Sequence, residues 1–595
     1  MQILDNIAAD WRFLKSTVRA LRLVSPITKH PTRTFPVAVA ELAEKHGDRP
    51  ALESADETFS YAALDARANQ WARWGRAQGL GKGDVVALLM KNRPEFMALW
   101  IGLNRIGAVV ALLNTNLTGH LLAHSIAIVA PKHVIAAADL AEALSDVPAA
   151  DGCRYWLHGE AEGASWPRVD GEVDALPTAP VPAAELPPVT IDDRALLIYT
   201  SGTTGMPKAA NVNHFRVMAM ASSFCGAMNV KPRDRMYLCL PMYHAAGGVV
   251  AAGATLIGGG TVVIRERFSA LGFWRDIARE RCTLFQYIGE LCRYLVNAPE
   301  TEAEKQHHLR LVCGNGLRPD IWMRFKDRFR IPEILEFYSA TEGNVALYNF
   351  DGRPGSIGRI PWWLEHRLVV RVVRFDIETE EPVRGPDGHC IVCQPGEVGE
   401  AIGEVVDDPK KPANRFAGYA DKAQGEKKTI QNVFKQGDRW FRTGDLMRQD
   451  ERGYFYFVDR IGDTFRWKGE NVATAQVAET LNQFPGVSDA TVYGVPVPGT
   501  EGKAGMAAIV AHDLDLSGLA RYLDAELPVY ARPVFLRLCT ALEMTGTFKQ
   551  RKIELVRDGF DPDVIADPLF VRRGSGYLPL DAVLFRRIVT GEMRV

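Results

Sequence analysis

The stretch IYTSGTTGMPKAA, residues 198–210, places two glycines, one serine, three threonines and one lysine between apolar flanks. The preceding RALLIY reads as a buried strand, so a strand leads directly into a glycine-rich loop. Backbone N–H groups and hydroxyls in such a loop are donors for phosphate oxygens, and a lysine adds positive charge. The stretch predicts an α/β layer with a phosphate-binding loop, and a flexible surface loop is the alternative.

This loop differs from a Walker loop, which needs four residues between its first glycine and the Gly-Lys pair. Only two residues separate Gly202 from Gly205, and Pro207 directly precedes Lys208. The candidate nucleotide-binding residues of the loop are Thr200, Ser201, Gly202, Thr203, Thr204, Gly205 and Lys208.

Length and composition limit the classes of protein to consider. A chain of 595 residues predicts one large and one smaller domain, and 47% hydrophobic with 24% charged residues is ordinary globular composition. The net charge of −2 gives no sign of a nucleic-acid surface, so we predict no nucleic acid partner.

The cysteines indicate a reducing compartment. They number nine, an odd count spread along the chain, which argues against a disulfide framework and for the cytoplasm. Cys390 and Cys393 have the spacing of metal ligands, but no second pair follows at the distance of a zinc site. Two buried or half-buried thiols on a short strand are the preferred interpretation.

Two segments bear on membranes, and no secretory signal is expected at the N-terminus. Residues 245–264 are uncharged and near the length of a membrane span. They contain six glycines, three of them consecutive at 258–260, which would break a single helix. We therefore predict a buried helix, a turn and a strand.

The N-terminal segment DWRFLKSTVRALRLV predicts a basic amphipathic helix. Its apolar face carries Trp11, Leu14, Val18 and Leu21. Its basic residues follow the same spacing one position along: Arg12, Lys15, Arg19 and Arg22. Two interpretations stay open: peripheral contact with an anionic membrane, or a helix docked on its own protein with a solvated basic edge.

Short apolar runs between helical patterns predict parallel strands. They are VVALLM at 85–90, VVALLN at 109–114, RMYLCLP at 235–241 and TVVIRE at 261–266. A Pro/Ala-rich stretch at 175–188 predicts an exposed connection without regular structure. After residue 458 the sequence becomes rich in charged and turn-forming residues, which predicts a compact α+β module.

Three further motifs suit a nucleotide. GNGLRP, with Gly314, Asn315 and Gly316, fits a backbone turn, which the superfamily that the chain resembles places against the base; an ordinary β-turn is the alternative. In FYSATEGN, Tyr338 offers a ring for stacking, Thr341 a hydroxyl for the α-phosphate, and Glu342 a hard oxygen ligand for Mg²⁺.

FRTGDL predicts a tight turn in which the carboxylate of Asp445 accepts both ribose hydroxyls.

In this order the motifs resemble those of the adenylate-forming superfamily, which contains acyl-CoA synthetases, luciferases and peptide-synthetase adenylation domains. The resemblance implies a large N-terminal domain of layered α/β sheets, residues 1–458, and a small mobile C-terminal α+β domain, residues 459–595. It implies that the loop closes over the β- and γ-phosphates of ATP, with Thr204 and Glu342 at Mg²⁺.

The same resemblance assigns roles to residues outside these motifs. Arg460 reaches the ribose, with a surface ion pair to Asp459 as the alternative. Asp459 matches the hinge between the domains. Lys549, in EMTGTFKQRK, matches the lysine that bridges carboxylate and α-phosphate, although a solvated basic turn would look similar.

Two more positions complete the implied site. The Gly469–Glu470 hairpin lines the channel for coenzyme A. His244, in PMYHAAG, matches a position that lines the carboxylate pocket, and a core histidine is an equal alternative.

Finer details resemble one branch, the fatty acid transport proteins and very-long-chain acyl-CoA synthetases. The chain has Thr547-Phe548 where most of the superfamily has Ser-Gly, and Lys468 replaces a glycine of the usual double-glycine hairpin. RWKGENVAT and the closing FDPDVIADPLFV also match this branch.

The resemblance implies a ligase that joins long or very long chain fatty acids to coenzyme A through an acyl-adenylate. Four alternatives remain open: a membrane carrier that moves fatty acids without chemistry, a ligase for a sterol side-chain or aryl acid, a luciferase-type oxygenase, and a ligase whose acceptor is a carrier protein instead of coenzyme A. A homodimer is also left open.

Overall fold

The computed structural model describes residues 2–148, 152–161, 166–201, 206–341, 343–365, 369–406, 408, 414–500, 502–544 and 550–595. The chain folds as two compact units. The first consists of residues 1–359 and 404–429, and the second of residues 360–403 and 430–595. The boundary predicted at residue 459 between an adenylation domain and a lid stays a prediction.

The first unit alternates helices and strands. Its helices are α1 (Gln2–Val24), α2 (Phe35–His46), α3 (Tyr61–Ala77), α4 (Pro94–Arg105), α5 (Gly119–Ala127), α6 (Asp170–Asp174), α7 (His214–Met228), α8 (Ala254–Ile257), α9 (Phe273–Arg279), α10 (Gly289–Asn297), α11 (Pro319–Arg328) and α12 (Lys422–Glu426). Its strands are β1 (Pro50–Glu53), β2 (Thr58–Ser60), β3 (Val85–Leu89), β4 (Val109–Leu112), β5 (His133–Ala137), β6 (Arg154–His158), β7 (Arg194–Ser201), β8 (Pro207–Asn213), β9 (Arg235–Leu238), β10 (Thr261–Ile264), β11 (Leu284–Ile288), β12 (Leu311–Asn315), β13 (Ile334–Ser339), β14 (Ala346–Asn349) and β15 (Gly358–Arg359).

These strands form two layers in which most neighbours are parallel. One sheet has the order β6-β5-β3-β4-β7-β8, parallel except for the antiparallel β7–β8 pair. The other places β13-β12-β11-β9-β10-β1 side by side in parallel. The four apolar runs predicted as strands are β3, β4, β9 and β10, because a continuous apolar run suits a strand buried on both faces.

Residues 245–264 form a helix, a turn and a strand, as predicted. The helix begins with a π-helical segment, Ala246–Gly253, and continues as α8 before β10. Its glycines allow close backbone contact: a Cβ on Gly247 would lie 2.3 Å from the carbonyl oxygen of Pro241. Within the described ranges, the chain has no helix with the length and apolarity needed to cross a membrane.

The Pro/Ala-rich stretch at 175–188 has no strand or α-helix, only a short 3₁₀ turn at Ala183–Glu185. It is less free than the sequence predicts, because side chains of α3 hold its carbonyls. Gln70 donates to Leu176 at 2.9 Å, Asn69 to Thr178 at 3.1 Å, and Arg73 to Ala179 at 2.6 Å. Proline has no backbone N–H to donate, so this stretch is bound to α3 through its carbonyl oxygens.

Helix α1 has one docked side and one open side. Ala9, Phe13 and Ser16 are buried, and the guanidinium of Arg19 donates to the carbonyl oxygen of Gly226 on α7 at 3.1 Å. A Cβ on Gly226 would lie 2.5 Å from the Cα of Ala20, so the glycine permits this close helix crossing. The apolar face predicted from the sequence is exposed instead, and Trp11 is 65% exposed.

The second unit contains mainly antiparallel sheets and a helical layer. Its strands are β16 (Val370–Asp376), β17 (Glu381–Pro382), β18 (Val398–Val405), β19 (Thr429–Gln431), β20 (Arg439–Gln449), β21 (Tyr454–Arg460), β22 (Phe465–Trp467), β23 (Glu470–Val472), β24 (Val487–Pro496), β25 (Lys503–Ala511), β26 (Phe535–Cys539), β27 (Leu569–Arg573) and β28 (Gly576–Pro579). Two of them, β18 and β19, cross the sequence boundaries of the unit. Its helices are α13 (Thr474–Asn482), α14 (Leu516–Glu526), α15 (Ile553–Asp558) and α16 (Ala582–Val589).

The module predicted after residue 458 has its own core. The sheet β24-β25-β26-β27-β28 packs its buried face around Tyr493, Met506 and Phe535, together with Leu481 and Leu523 of α13 and α14. This arrangement agrees with the predicted compact α+β module.

The prediction of a short strand at Cys390–Cys393 is wrong. Successive residues bond to different neighbours: Cys390 N–H donates to Val433, Ile391 N–H to Val383 and Cys393 N–H to Val372. No continuous ladder can form, and only isolated bridges result. Cys390 is buried, and desolvation raises the pKa of the half-buried Cys393 thiol to about 12.

Candidate active site

Several predicted site segments leave the same edge of one sheet. Strands β9, β11, β12 and β13 run parallel, so their carboxyl ends meet at one edge. His244 follows β9, Gly316 follows β12, and Tyr338 and Thr341 lie at and just beyond the end of β13. In open α/β sheets this edge is where ligands bind.

The glycine-rich loop joins β7 to β8 as a hairpin. Thr200 lies opposite Lys208, and Ser201 lies opposite Pro207, the first residue of β8. The Nε2 of His124 on α5 lies 3.2 Å from the carbonyl oxygen of Pro207. The tip of the loop, Gly202, Thr203, Thr204 and Gly205, lies outside the described residues. The strands nevertheless place both ends of the loop together.

Arg216 connects the hairpin to the end of β13, and sequence reasoning missed it. Its guanidinium donates to the carbonyl oxygens of Thr341, at 3.1 Å, and of Gly343, and also to Arg415 at 3.2 Å. Since Arg216 is in the first turn of α7, directly after β8, it fixes the backbone on both sides of Glu342. Glu342 itself lies outside the described residues.

Two asparagines hold the segment that carries His244. Asn92 donates to the carbonyl oxygen of Leu240 at 2.8 Å and accepts the N–H of Met242 at 2.8 Å. Asn116 donates to the hydroxyl of Tyr243 at 3.1 Å. The rings of Tyr243 and His244 lie 4.4 Å apart. These residues follow β3, β4 and β9, so strand ends from both sheets converge on this segment.

The GNGLRP turn follows β12, and Gly316 has a φ of +80°, which favours glycine. Glu336 of β13 lies directly beneath it, 1% exposed, and accepts the N–H groups of Gly316 and Leu317. Desolvation raises the pKa of Glu336 to about 8. The sequence signal that could have revealed Glu336 is a glutamate inside the apolar strand ILEFYS.

In the second unit, Asp445 lies within β20 rather than in the predicted tight turn. It faces Arg460 across the β20–β21 pair. Gly444 has a φ of +77°, yet the ladder continues past it: Asp445 pairs with Arg460, and the N–H of Ile461 donates to the carbonyl oxygen of Gly444 at 3.0 Å. The two residues predicted to bind ribose are therefore direct cross-strand neighbours.

Asp459, the predicted hinge residue, is 2% exposed and bonded within the second unit. Its carboxylate accepts the N–H of Thr474 and, at 3.3 Å, the hydroxyl of the same residue. Lys552 donates to Thr474 Oγ1 at 2.9 Å and lies 3.3 Å from Asp463. Desolvation is the main cause that raises the pKa of Asp459, opposed by the positive charge of Lys552.

The predicted catalytic residue Lys549 lies outside the described residues, but the chain directly after it is anchored. Gln550 donates to Asp489 at 3.0 Å, and the N–H of Arg551 donates to Glu543 at 2.9 Å. With the Lys552 contacts, these bonds tie this segment to the module that contains β24. The solvated basic turn considered for Lys549 stays an alternative, and Arg551 beside it is exposed.

The hairpin predicted at Gly469–Glu470 forms between β22 and β23, and its role at coenzyme A stays a prediction. Trp467 of β22 pairs with Glu470 of β23, and the turn residues Lys468 and Gly469 have φ of +53° and +82°. Two positive φ values are typical of the tight turn that matches strand twist. The ammonium of Lys468 lies 5.5 Å from the centre of the Trp467 ring.

Comparison with protein families agrees with this geometry. The family described as "AMP-binding enzyme" matches residues 39–402, and its C-terminal domain matches residues 476–549. The chain belongs to this adenylate-forming family of AMP-binding enzymes. Within the family it groups with the long-chain fatty acid transport proteins, the branch that includes very-long-chain acyl-CoA synthetases.

The curated relatives span nearly the whole chain. Long-chain fatty acid transport protein 1 of Mus musculus is 41% identical over 608 residues, 98% of this chain and 93% of the relative. Long-chain fatty acid transport protein 3 of Homo sapiens is 42% identical over 525 residues, 87% and 76% respectively. Both predicted aspects of the resemblance, superfamily and branch, are confirmed.

Solved structures confirm the predicted fold class, with a large N-terminal and a small C-terminal domain. ATP-bound MatB from Rhodopseudomonas palustris matches with a TM-score of 0.74 at 25% identity, covering 87% of this chain and 98% of that one. A fatty acyl CoA synthetase from Mycobacterium tuberculosis matches with a TM-score of 0.61 at 25% identity, covering 88% and 98%. The chain is a member of the acyl-CoA ligase class of adenylate-forming enzymes.

Proposed function

We propose that the chain is an ATP-dependent fatty acid–CoA ligase for long or very long chain acids. The observation that supports this most is the meeting of strand ends: segments with His244, Gly316, Tyr338 and Thr341 leave one edge of parallel strands. The names of the fatty acid transport relatives and of the mycobacterial fatty acyl CoA synthetase support the choice of acid.

The proposed chemistry has two steps because hydroxide is a poor leaving group. A carboxylate oxygen attacks the α-phosphorus of ATP, the bond to pyrophosphate breaks, and an acyl-adenylate forms. The thiol of coenzyme A then attacks the acyl carbon, loses its proton and displaces AMP. The first step brings two anions together, which requires positive charge at close range.

Each group of predicted site residues has its own role in these two steps. Lys208 and the other loop residues hold the β- and γ-phosphates, Thr341 contacts the α-phosphate, and Lys549 bridges carboxylate and phosphate. The nucleoside is held by the GNG turn, Tyr338, Asp445 and Arg460, and His244 lines the acid pocket. The cross-strand position of Asp445 and Arg460 supports their joint role at the ribose.

A magnesium ion fits the donor chemistry. Glu342 and Thr204 carry hard oxygens of the kind Mg²⁺ prefers, and Arg216 fixes the carbonyls on both sides of Glu342. When bound, the ion supplies positive charge that offsets the repulsion between phosphate and carboxylate.

The two steps need different surroundings. Water would hydrolyse the adenylate, so the first step requires a closed site and the second requires access for a thiol. We assign this exchange to a lid, residues 459–595, that moves about Asp459. In one position it presents Lys549, and in the other the Gly469–Glu470 hairpin.

One screen tests the proposed function. Purified protein is given Mg-ATP, coenzyme A and a ladder of acids from short to very long, together with a sterol side-chain acid and an aryl acid. AMP and thioester are measured together, and the highest kcat/KM is expected for a long or very long acid. No thioester from any fatty acid would refute the proposal, and a preference for the sterol or aryl acid would change the substrate class.

Because the relatives are named as transport proteins, the carrier alternative needs a test as well. Lys549→Ala is expected to abolish both thioester formation and fatty acid uptake in cells, because uptake would depend on trapping the acid as its thioester. Lys427→Ala, an exposed lysine of the other unit, is the matched control. Full uptake by Lys549→Ala would favour transport without chemistry.

We further propose that α1 lies on an anionic membrane surface. Opposite its docked side, Ile7, Trp11, Leu14, Val18 and Leu21 form an exposed apolar stripe at helical spacing. Exposed Arg12, Lys15 and Arg22 flank it. Large apolar residues beside cations suit the boundary between headgroups and acyl chains, and the helix offers a length of about 35 Å.

Vesicle sedimentation tests this surface. Binding is expected with vesicles that contain phosphatidylglycerol and not with phosphatidylcholine alone, and Trp11→Ser with Leu14→Ser should weaken it about tenfold or more. Leu271→Ser, which changes an exposed leucine elsewhere, is the control. If the double variant instead converts a dimer to a monomer without any vesicle binding, the stripe is a contact between two copies.

A further inference from the structure

The carboxyl group of Glu336 lies at the centre of a buried network under the GNGLRP turn. Its Oε1 accepts the backbone N–H of Gly316 and, at 3.1 Å, that of Leu317. Its Oε2 accepts the hydroxyl of Tyr287. Both side chains are essentially inaccessible to solvent: Glu336 is 1% exposed and Tyr287 is fully buried.

The register of the sheet produces this network. Gly314 of β12 lies between Tyr287 of β11 on one side and Glu336 of β13 on the other. A Cβ on Gly314 would lie 2.4 Å from the Tyr287 ring, and a Cβ on Gly289 would lie 1.6 Å from the carbonyl oxygen of Gly316. The turn therefore rests on two neighbouring strands without room for movement towards them.

Burial of a carboxylate is costly, and desolvation raises the pKa of Glu336 to about 8. An apolar side chain of similar size would pack under the turn without that cost, but it could not accept the two N–H groups. What the carboxyl group adds is a fixed direction for the backbone at Gly316 and Leu317.

We propose that Glu336, held by Tyr287, is a positioning residue that sets the turn Gly314–Gly316 for adenine and so determines selection of ATP over GTP. The proposal rests on the proposed function, because adenine at this turn is part of it. Glu336 does not contact the nucleotide. It acts through the backbone of the turn, where a shift of well under an ångström alters hydrogen bonds to the base edge.

The experiment measures pyrophosphate release with a saturating fatty acid and varied ATP or GTP. For Glu336→Ala we expect KM for ATP to rise about tenfold and the ATP/GTP ratio of kcat/KM to fall by about as much, with KM for the acid unchanged. Glu336→Gln should restore most of the selectivity, because an amide oxygen still accepts two N–H groups. Tyr287→Phe should lie between these variants.

Glu95→Gln is the matched control. Glu95 is a buried carboxylate of the same unit that accepts Arg67 and Trp71, far from the turn in sequence. It should lower stability without changing the ATP/GTP ratio. If Glu336→Ala does not fold, Tyr287→Phe carries the test.

An unchanged ATP/GTP ratio in folded Glu336→Ala and Tyr287→Phe would overturn the proposal. So would an equal rise in KM for ATP and for the acid, since that would indicate a merely structural role. Calorimetric titration with AMP separates this outcome from failure of the proposed function. A wild type that binds AMP but makes no thioester still allows comparison of AMP and GMP binding among the variants.

Discussion

The carboxylate of Asp459 accepts both the backbone N–H and the hydroxyl of Thr474, the first residue of α13. The residue predicted as the hinge is thus bonded to the start of a helix within the second unit. Any rotation of the backbone at Asp459 must either preserve its hydrogen bonds with Thr474 or break them. Asp459 therefore links rotation at the predicted hinge to the stability of one helix end.

Asp459→Ala should destabilise the second unit by about 1 kcal/mol, because the first turn of α13 loses its acceptor. It should also slow thioester formation from preformed adenylate more than it slows adenylate formation. Denaturant unfolding and separate half-reaction assays measure the two effects.

Asp515→Ala is the control for Asp459→Ala, since Asp515 caps α14 of the same unit by accepting the N–H of Gly518 at 2.9 Å. It should reproduce the loss of stability but leave the balance of half-reactions unchanged. If both aspartate variants alter that balance equally, Asp459 has no special place in the movement.

Lys468→Gly should stabilise the β22–β23 hairpin. Lysine at a φ of +53° carries steric strain of about 1 kcal/mol that glycine avoids. Loss of the contact with Trp467 offsets roughly 0.5 kcal/mol of this gain. Lys468→Val should be destabilising, because a β-branched residue fits this conformation worst. Unfolding curves decide the order, and a glycine variant less stable than the valine variant would contradict the strain argument.

Arg216→Lys should raise the Mg²⁺ concentration needed for half-maximal pyrophosphate release, by about tenfold. A lysine cannot hold three carbonyls in the fixed planar arrangement of a guanidinium, so the backbone beside Glu342 gains freedom. Arg194→Lys, at an exposed arginine of β7, should leave the Mg²⁺ requirement as in the wild type. An unchanged requirement in Arg216→Lys would refute the role given to Arg216.

Two buried histidines should make the fold sensitive to acid. Desolvation lowers the pKa of His133 and of His214 to about 4, from 6.5. Below pH 6.5 these histidines are protonated in the unfolded chain but stay neutral in the folded protein. Their contribution to stability is therefore fully present above pH 6.5 and is lost as the pH falls towards 4. Each histidine should contribute on the order of 2–3 kcal/mol to this loss.

His133→Gln tests this pH dependence. The Trp156 indole donates to Nδ1 of His133 at 2.9 Å, and a glutamine oxygen can accept the same bond. The difference in unfolding free energy between pH 7 and pH 4.5 should shrink in this variant. His30→Gln, at an exposed histidine, should retain the full difference.

Much of the framework could be predicted from the sequence because it depends on local patterns. Continuous apolar runs defined β3, β4, β9 and β10 within a few residues, and consecutive glycines correctly divided residues 245–264. In each case the sequence pattern and the element that it predicts lie within a dozen residues of each other.

The supporting contacts could not be predicted, because their partners are distant in the chain. Arg216 and Thr341 are separated by 125 residues, and Asn92 and Leu240 by 148. The tight turn predicted at Asp445 failed for a related reason: FRTGDL suggested a turn, but pairing with Arg460 continued the strand. Tertiary pairing overrode a local preference there.

The attachment of the Pro/Ala-rich stretch to α3 has a consequence for enzymatic cleavage of the folded chain. A protease must draw its substrate into an extended conformation and bond to its carbonyls, yet Gln70, Asn69 and Arg73 already occupy those of residues 176–180. Although its composition resembles that of a flexible linker, this stretch should resist digestion for as long as α3 remains folded.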